Sequence, residues 1–346
     1  MSLILGIEST CDETAAAVVA DGYLVRSNIV ASQVDLHAKY RGVVPEIASR
    51  AHLENILPVL REAIAAAGLR EFDELDAIAV AHRPGLIGSL LIGVTAAKTL
   101  AWSLGKPLIG IDHVHAHLYS VLLDASGPML LPAVGLVCSG GHTALYRIGD
   151  DWRDVQLIGS TIDDAVGEAY DKVAAILGLG YPGGPILDSL AITGDPTAVR
   201  FPRTLLDRDS LDFSFSGLKT AVLYHVRGVP RRGQNVKASQ IAAPTGQQLR
   251  DIAASFQAAC IDVLIEKIER AVRRTGARSV VIGGGVSANR GLRAAMTRFP
   301  LPVFFPPLAY CTDNAAMSAG LAQIYLDAGM VAGLDLDAVT CSQFVA

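Results

Sequence analysis

His113-Val-His-Ala-His117 sets two imidazoles four residues apart, after an apolar run ending near Ile111 and ahead of the apolar stretch Leu118 to Leu123. On a helix that spacing puts His113 and His117 on one face, where both can ligate one metal ion, while His115 points elsewhere. The competing reading is a histidine pair that caps a helix or makes core hydrogen bonds. A zinc protease is a weaker match, because no Glu follows His113 and the HExxH pattern needs that carboxylate as its general base. Asp313, in Tyr310-Cys-Thr-Asp-Asn-Ala-Ala-Met317, stands where a helix should begin, so it either caps backbone N–H groups or supplies a third ligand. Sequence alone favours the cap. A set of two His and one carboxylate would suit iron or zinc and leave positions open for a substrate oxygen.

Three glycine-rich turns are expected to follow strands: Ser139-Gly-Gly-His142, Tyr181-Pro-Gly-Gly-Pro185 and Gly283-Gly-Gly-Val-Ser-Ala-Asn289. Glycine lets backbone approach a ligand closely, and exposed N–H groups can cradle a phosphate. A tight turn explains any one of them equally well. Together they fit a nucleotide held between two halves better than a P-loop or Rossmann site, since GxxxxGK(S/T) is absent and Gly283 to Asn289 lacks the GxGxxG spacing. The acidic run Asp163-Asp-Ala-Val-Gly-Glu168-Ala-Tyr-Asp171-Lys172 predicts Asp164, Glu168 and Asp171 near one helix face. A solvated face is the plain explanation; Asp171 and Asp188 could instead bind ribose hydroxyls.

The elements that must position these groups follow a repeated grammar. Leu3 to Ile7 is apolar, Glu8 to Thr14 polar and Ala15 to Val19 apolar; Ala133 to Val137, Cys138 to Thr143 and Ala144 to Tyr146 do the same. Two strand-turn-strand units predict two similar halves. Helical patterns at Pro45 to Ala67 and Leu86 to Leu104 alternate with strands at Ala77 to Ala81 and Pro107 to Ile111, which argues for an α/β fold. Further helices are expected near Asp163 to Leu177, Gln247 to Arg274, Asn289 to Arg298 and Asp313 to Ala328, with strands at Ser279 to Ile282 and Pro302 to Phe305. The boundary is expected between residues 120 and 132, giving lobes 1–125 and 126–346. Arg227 to Gln240, polar and basic, reads as a surface loop.

With 346 residues, 51% of them hydrophobic and 18% charged, the chain can bury a large core and is not disordered. A formal charge of -5 excludes a globally basic nucleic-acid coat, so any RNA contact must be local or shared with a partner. Cys11, Cys138, Cys260, Cys311 and Cys341 are odd in number and form no CxxC pair, which favours reduced thiols. Met1 to Gly6 lacks a basic leader and Glu8 interrupts the apolar run, so a cytoplasmic protein is expected. The uncharged run Ala125 to Tyr146 is long enough to span a bilayer, but Pro128, Pro132 and the Ser139 turn make a strand and loop the better reading.

Combined, the motifs resemble a known family. Lys98-Thr, four residues, Leu104-Gly-Lys-Pro107 and His113-Val-His-Ala-His-Leu118 are similar to the signature of the universal tRNA threonylcarbamoyladenosine transferases, called TsaD in bacteria. Gly6-Ile-Glu-Ser-Thr-Cys-Asp-Glu-Thr14, Gly42-Val-Val-Pro-Glu-Ile-Ala-Ser-Arg50, Asp212-Phe-Ser-Phe-Ser-Gly-Leu-Lys-Thr220 and Cys311-Thr-Asp-Asn314 resemble further blocks of that family. The resemblance covers nearly the whole chain. It implies an actin-like ATPase (ASKHA) fold, two duplicated lobes with the active site in the cleft. It also implies transfer of threonylcarbamoyl from threonylcarbamoyl-AMP to N6 of the adenosine just 3′ of the anticodon, in tRNAs that read ANN codons.

By matching position, His113, His117 and Asp313 would hold one divalent metal ion, Fe(2+) ahead of Zn(2+). Val137, Cys138, Ser139, Gly140, Gly141, Asp171, Gly184, Asp188 and Asn289 would hold the adenylate. No general base for the adenosine amine is assigned. TsaB and TsaE are the implied partners, with a TsaC-type synthase supplying the substrate. Arg231, Arg232 and Lys237, joined by Arg273 and Arg274, are the expected tRNA phosphate contacts. The chain departs from the family pattern at Arg83, where a small residue is usual, and at His115, where an acidic residue is common; His115 adds a competing ligand. The rival readings are a non-catalytic ASKHA scaffold resembling TsaB, which would have no need of the metal set, and an ASKHA kinase or ATPase, which would leave the histidine pair without a purpose.

Overall fold

The computed structural model describes residues 1–40, 42–125, 127, 129–228 and 244–342. In the first half β1 (Leu3–Glu8), β2 (Glu13–Ala20) and β3 (Leu24–Ser32) form an antiparallel meander. A short α1 (Val34–Ala38) and the long α2 (Pro45–Ala66) lead to β4 (Ala77–Arg83), α3 (Ile87–Leu104) and β5 (Leu108–Asp112). β4 runs parallel to β1, and β5 parallel to β4, so the sheet order is β3-β2-β1-β4-β5. β1 and β4 are apolar almost without alternation because helices cover both faces of the sheet.

α4 (His113–Tyr119) leads into the second half, which repeats the plan. β6 (Ala133–Cys138), β7 (Thr143–Ile148) and β8 (Val155–Ser160) form its meander. After α5 (Val166–Ile176), α6 (Gly183–Ala191), α7 (Ser216–Arg227) and α8 (Gly246–Thr275) come β9 (Ser279–Gly283), α9 (Arg290–Met296) and β10 (Val303–Phe304). β9 pairs parallel with β6 and β10 with β9, giving the order β10-β9-β6-β7-β8. Read from the meander outward, the two orders are the same, as duplicated lobes require.

All strands of the first sheet precede residue 126 and all strands of the second follow it. The last helix, α10 (Ala315–Asp327), nevertheless packs on β1 and β2 of the first sheet. A cut at 125/126 therefore separates the sheets but not the helices. The approach of α10 to β1 is so close that a Cβ at Gly6 would run into the Ala315 carbonyl and the Ala319 nitrogen. One buried cluster joins Ile4 and Ile111 of the first sheet to Val137 and Val281 of the second through Leu118 and Met317. The chain then returns along the edge strand β5, where Ala332 pairs with Leu108.

α3 alone among the described helices is long and apolar enough to cross a membrane. Its Leu90, Val94, Ala97 and Ala101 are buried, and it packs on β4 and α2. The expected helix at Asp163 starts later, at Val166, because Asp163 accepts from Phe215 N and Ser216 N at the start of α7 while Asp164 pairs with Lys172 and Lys219. The three acids are thus not one helical face. α1, β3, β8, α6 and α7 were not anticipated from the sequence pattern.

Candidate metal centre and substrate cleft

β5 ends on Asp112, whose carboxylate accepts from Val114 N (3.0 Å) and His115 N (3.3 Å) and so starts α4. The whole helix is buried. His113 and His117, one turn apart, meet edge to face with ring centroids 4.6 Å apart. Asp313 arrives from the opposite end of the chain, just before α10. There Asn314, not Asp313, is the cap, its side chain accepting from Met317 N at 3.1 Å. The sequence preference for Asp313 as a cap is corrected by its neighbour, and its carboxylate is left to the histidines. Asp313 Oδ1 lies 3.1 Å from His117 Nε2 and 3.6 Å from His113 Nε2. The three ligand atoms all stand within 4.8 Å of one another.

Around this group the electrostatics are strongly biased. His113 Nδ1 lies 3.0 Å from Glu8 Oε2 and 3.3 Å from the Thr10 hydroxyl, and Glu8 is fully buried at the end of β1. Burial opposes charge on His113, but the Glu8 and Asp313 carboxylates outweigh it and raise its pKa to about 9. Burial likewise opposes ionisation of Asp313, yet His113 and His117 hold its carboxyl far below the usual range. His117 Nδ1 is buried without a hydrogen-bond partner among the described residues. Two imidazoles and a carboxylate with converging donor atoms, one imidazole braced by a second carboxylate, fit a divalent metal ion. His115 is held away from the group: its Nδ1 lies 3.0 Å from the Tyr325 hydroxyl, its ring stacks on Trp152, and burial lowers its pKa to about 4.

His113 and Asp313 open into a cleft of about 620 Å³ between the lobes. The first lobe contributes Thr10, Cys11 and Asp12; the second contributes Ser139, Gly140, Gly141, His142, Asp171, Lys172 and Tyr181. Side chains built at Gly140, Gly141 or Gly184 would meet nothing within 4 Å, so these backbones are open to a ligand. Val137 and Cys138 lie beneath, buried in β6, with the Cys138 thiol facing the Gly283 carbonyl. Gly284, at φ +87°, lets the third glycine turn touch the Cys138 carbonyl, a contact no side chain would permit. Asp171 accepts from Gly183 N at 2.7 Å, and burial raises its pKa. Asp188 and Asn289 belong to a neighbouring polar network: Asp188 binds Gln257 Nε2 (3.2 Å) and Arg290 Nε (2.8 Å), while Asn289 donates to Gln257 Oε1 and caps α9.

Arg231, Arg232 and Lys237 lie outside the described residues. Arg273 pairs with Glu269 and, with Arg274, Arg208 and Arg270, lines a surface groove. Sequence reasoning missed Glu8, Asp12, His142 and Lys172 as cleft or bracing residues. The signal available was their place in the polar turns that close β1 and β6, and in the acidic run beside the second turn.

The family model described as TsaD, tRNA N6-adenosine threonylcarbamoyltransferase, matches residues 24–320. The chain belongs to this family. A curated relative of that name from Trichlorobacter lovleyi is 51% identical over 97% of this chain and 95% of its own length. Another of the same name, from Moorella thermoacetica, is 54% identical over 91% of this chain and 89% of its own length. Among solved structures, T. kodakarensis HypF superposes with a TM-score of 0.62 at 17% identity, covering 94% of this chain and 48% of that longer one. That likeness speaks to the fold alone, a two-lobed actin-like ATPase architecture.

Proposed function

We propose that this chain, a tRNA-modifying acyltransferase by family, transfers the threonylcarbamoyl group from threonylcarbamoyl-AMP to N6 of the adenosine just 3′ of the anticodon, in tRNAs that read ANN codons, forming N6-threonylcarbamoyladenosine. The observation that carries the metal-dependent form of this reading is the convergence of His113, His117 and Asp313, of which His113 and Asp313 line the same cleft as Gly140 and Gly141. In the reaction the N6 nitrogen bonds to the carbamoyl carbon, the bond from that carbon to the phosphate oxygen breaks, and AMP leaves with the electron pair. His113, His117 and Asp313 would hold one divalent ion, Fe(2+) ahead of Zn(2+). When bound, such an ion supplies positive charge against the negative charge that develops at the carbonyl.

The chain's own groups do the rest. The backbone from Val137 to Gly141, with Asp171, Gly184, Asp188 and Asn289, would seat the adenylate, the glycines leaving room for phosphate and the acids meeting ribose hydroxyls. Asp12, in the same cleft, has its affinity for a proton raised by burial and by Asp313, which suits a carboxylate that takes up the proton lost from N6. Arg231, Arg232 and Lys237, with Arg273 and Arg274, remain the proposed tRNA phosphate contacts. TsaB, TsaE and a TsaC-type synthase are the proposed partners, in the cytoplasm. The test is reconstitution with threonylcarbamoyl-AMP, unmodified tRNA and these partners, scoring modified adenosine by mass spectrometry. Product from the wild type that vanishes, with its bound metal, in His113→Ala/His117→Ala supports the reading. Product that persists in that metal-free double variant overturns the metal's role.

A further inference from the structure

The C-terminal segment reaches into the cleft and has no part in the chemistry above. Val339 N donates to the His82 carbonyl at 2.9 Å, the Asp337 carbonyl lies 2.8 Å from His82 Nδ1, and Thr340 lines the cleft. Beyond it the Ser342 hydroxyl donates to Asp112 Oδ2 at 2.7 Å. Asp112 is 2% exposed, and its other oxygen is the cap acceptor at the start of α4. Arg83, on β4, places Nε 3.8 Å from the same Oδ2. One buried carboxylate is therefore shared by the helix that carries both histidines, a cation from the neighbouring strand and a hydroxyl from the end of the chain.

We propose that Asp112 is a positioning residue for His113 and His117, and that the C-terminal strap, acting through Ser342, sets how firmly that helix presents them. A helix of seven residues does not define its own geometry; its cap and its packing do. Ser342 and Arg83 fix the carboxylate, the carboxylate fixes the first turn, and the first turn fixes His113. The inference rests on the metal reading of the His113, His117 and Asp313 group.

The experiment titrates the full chain with Zn(2+) and with Fe(2+) against a chromophoric chelator, for wild type, Ser342→Ala, Ser342→Thr, Asp112→Asn and His117→Ala, with thermal unfolding of each metal-free chain alongside. Ser342→Ala is expected to weaken metal binding about tenfold, the lower end of what loss of an outer-shell group costs, at an unchanged unfolding midpoint. Ser342→Thr, which keeps the hydroxyl, should restore wild-type affinity, and Asp112→Asn should weaken it at least as much as Ser342→Ala. If Ser342→Ala binds as tightly as wild type while His117→Ala has lost the metal, the strap has no such role. A wild type that binds neither ion overturns the metal reading and this inference with it.

Discussion

Glu8 holds the outer nitrogen of His113, and that contact orients the ring. Replacing it by Gln keeps the shape and removes the charge, so Glu8→Gln should weaken metal binding by about 10- to 100-fold, measured by chelator competition. Glu13 makes a different case. Burial, aided by Asp12 and Asp313, raises its carboxyl to about 7 against the Ser32 hydroxyl bond that lowers it. Between its ordinary value of 4.5 and about 7 the folded chain keeps a proton that the unfolded chain has lost. Stability contributed there is present at low pH and declines as pH rises to 7, and Glu13→Gln should flatten that decline in denaturation midpoints followed against pH. The spacing of His113 and His117 was legible because helical period alone predicts it. That Asp313 is not the cap was not legible, since Asp and Asn are equally good caps and only the fold shows that Asn314 takes that position. Glu8 and Asp12 are marked only by their place in the polar turn after β1; a strand end gives them direction only once the sheet exists.

The helices α2, α3, α8 and α10 could be placed from the sequence within a few residues of their ends. α6 was hidden because it opens on Pro182-Gly-Gly-Pro185, which reads as a turn. α7 begins within Asp212-Phe-Ser-Phe-Ser216, whose alternation imitates a strand, and Phe213 does form a bridge to Thr161 just before the helix starts. β3 and β8 are edge strands with mixed exposure, so neither a clean alternation nor an apolar run marks them. α8 carries a fully buried Lys267, whose ammonium donates to the carbonyls of Leu205 and Ser210, both at 2.7 Å. Lys267→Met leaves those carbonyls with weaker partners and should cost about 2 kcal/mol, read from urea denaturation. A variant of wild-type stability would show that Arg270, which also reaches both carbonyls, suffices to satisfy them.

Two lobes with one strand order make a cleft by their opposition, and the duplication was visible in the repeated strand-turn-strand grammar. The crossing of α10 back to the first sheet was not, because nothing local to residues 315–327 says which sheet they will cover. That crossing couples fold and site. Gly6→Ala places a methyl against the Ala315 and Ala319 backbone, so α10 must shift, and Asp313 lies two residues before it. The variant is expected to lose thermal stability and metal affinity together, whereas Leu53→Ala, on an exposed face of α2, should change neither; unfolding scans and metal titration on the same samples check the pairing.

The same crossing bears on how the chain is made. Synthesis delivers β1 and β2 early and α10 near the end, so one face of the first sheet stays uncovered on the ribosome while the second lobe is still being added. His113 and His117 wait with it for Asp313. A chain released before that aspartate lacks both Asp313 and the helix that covers one face of its first sheet, and is expected to aggregate.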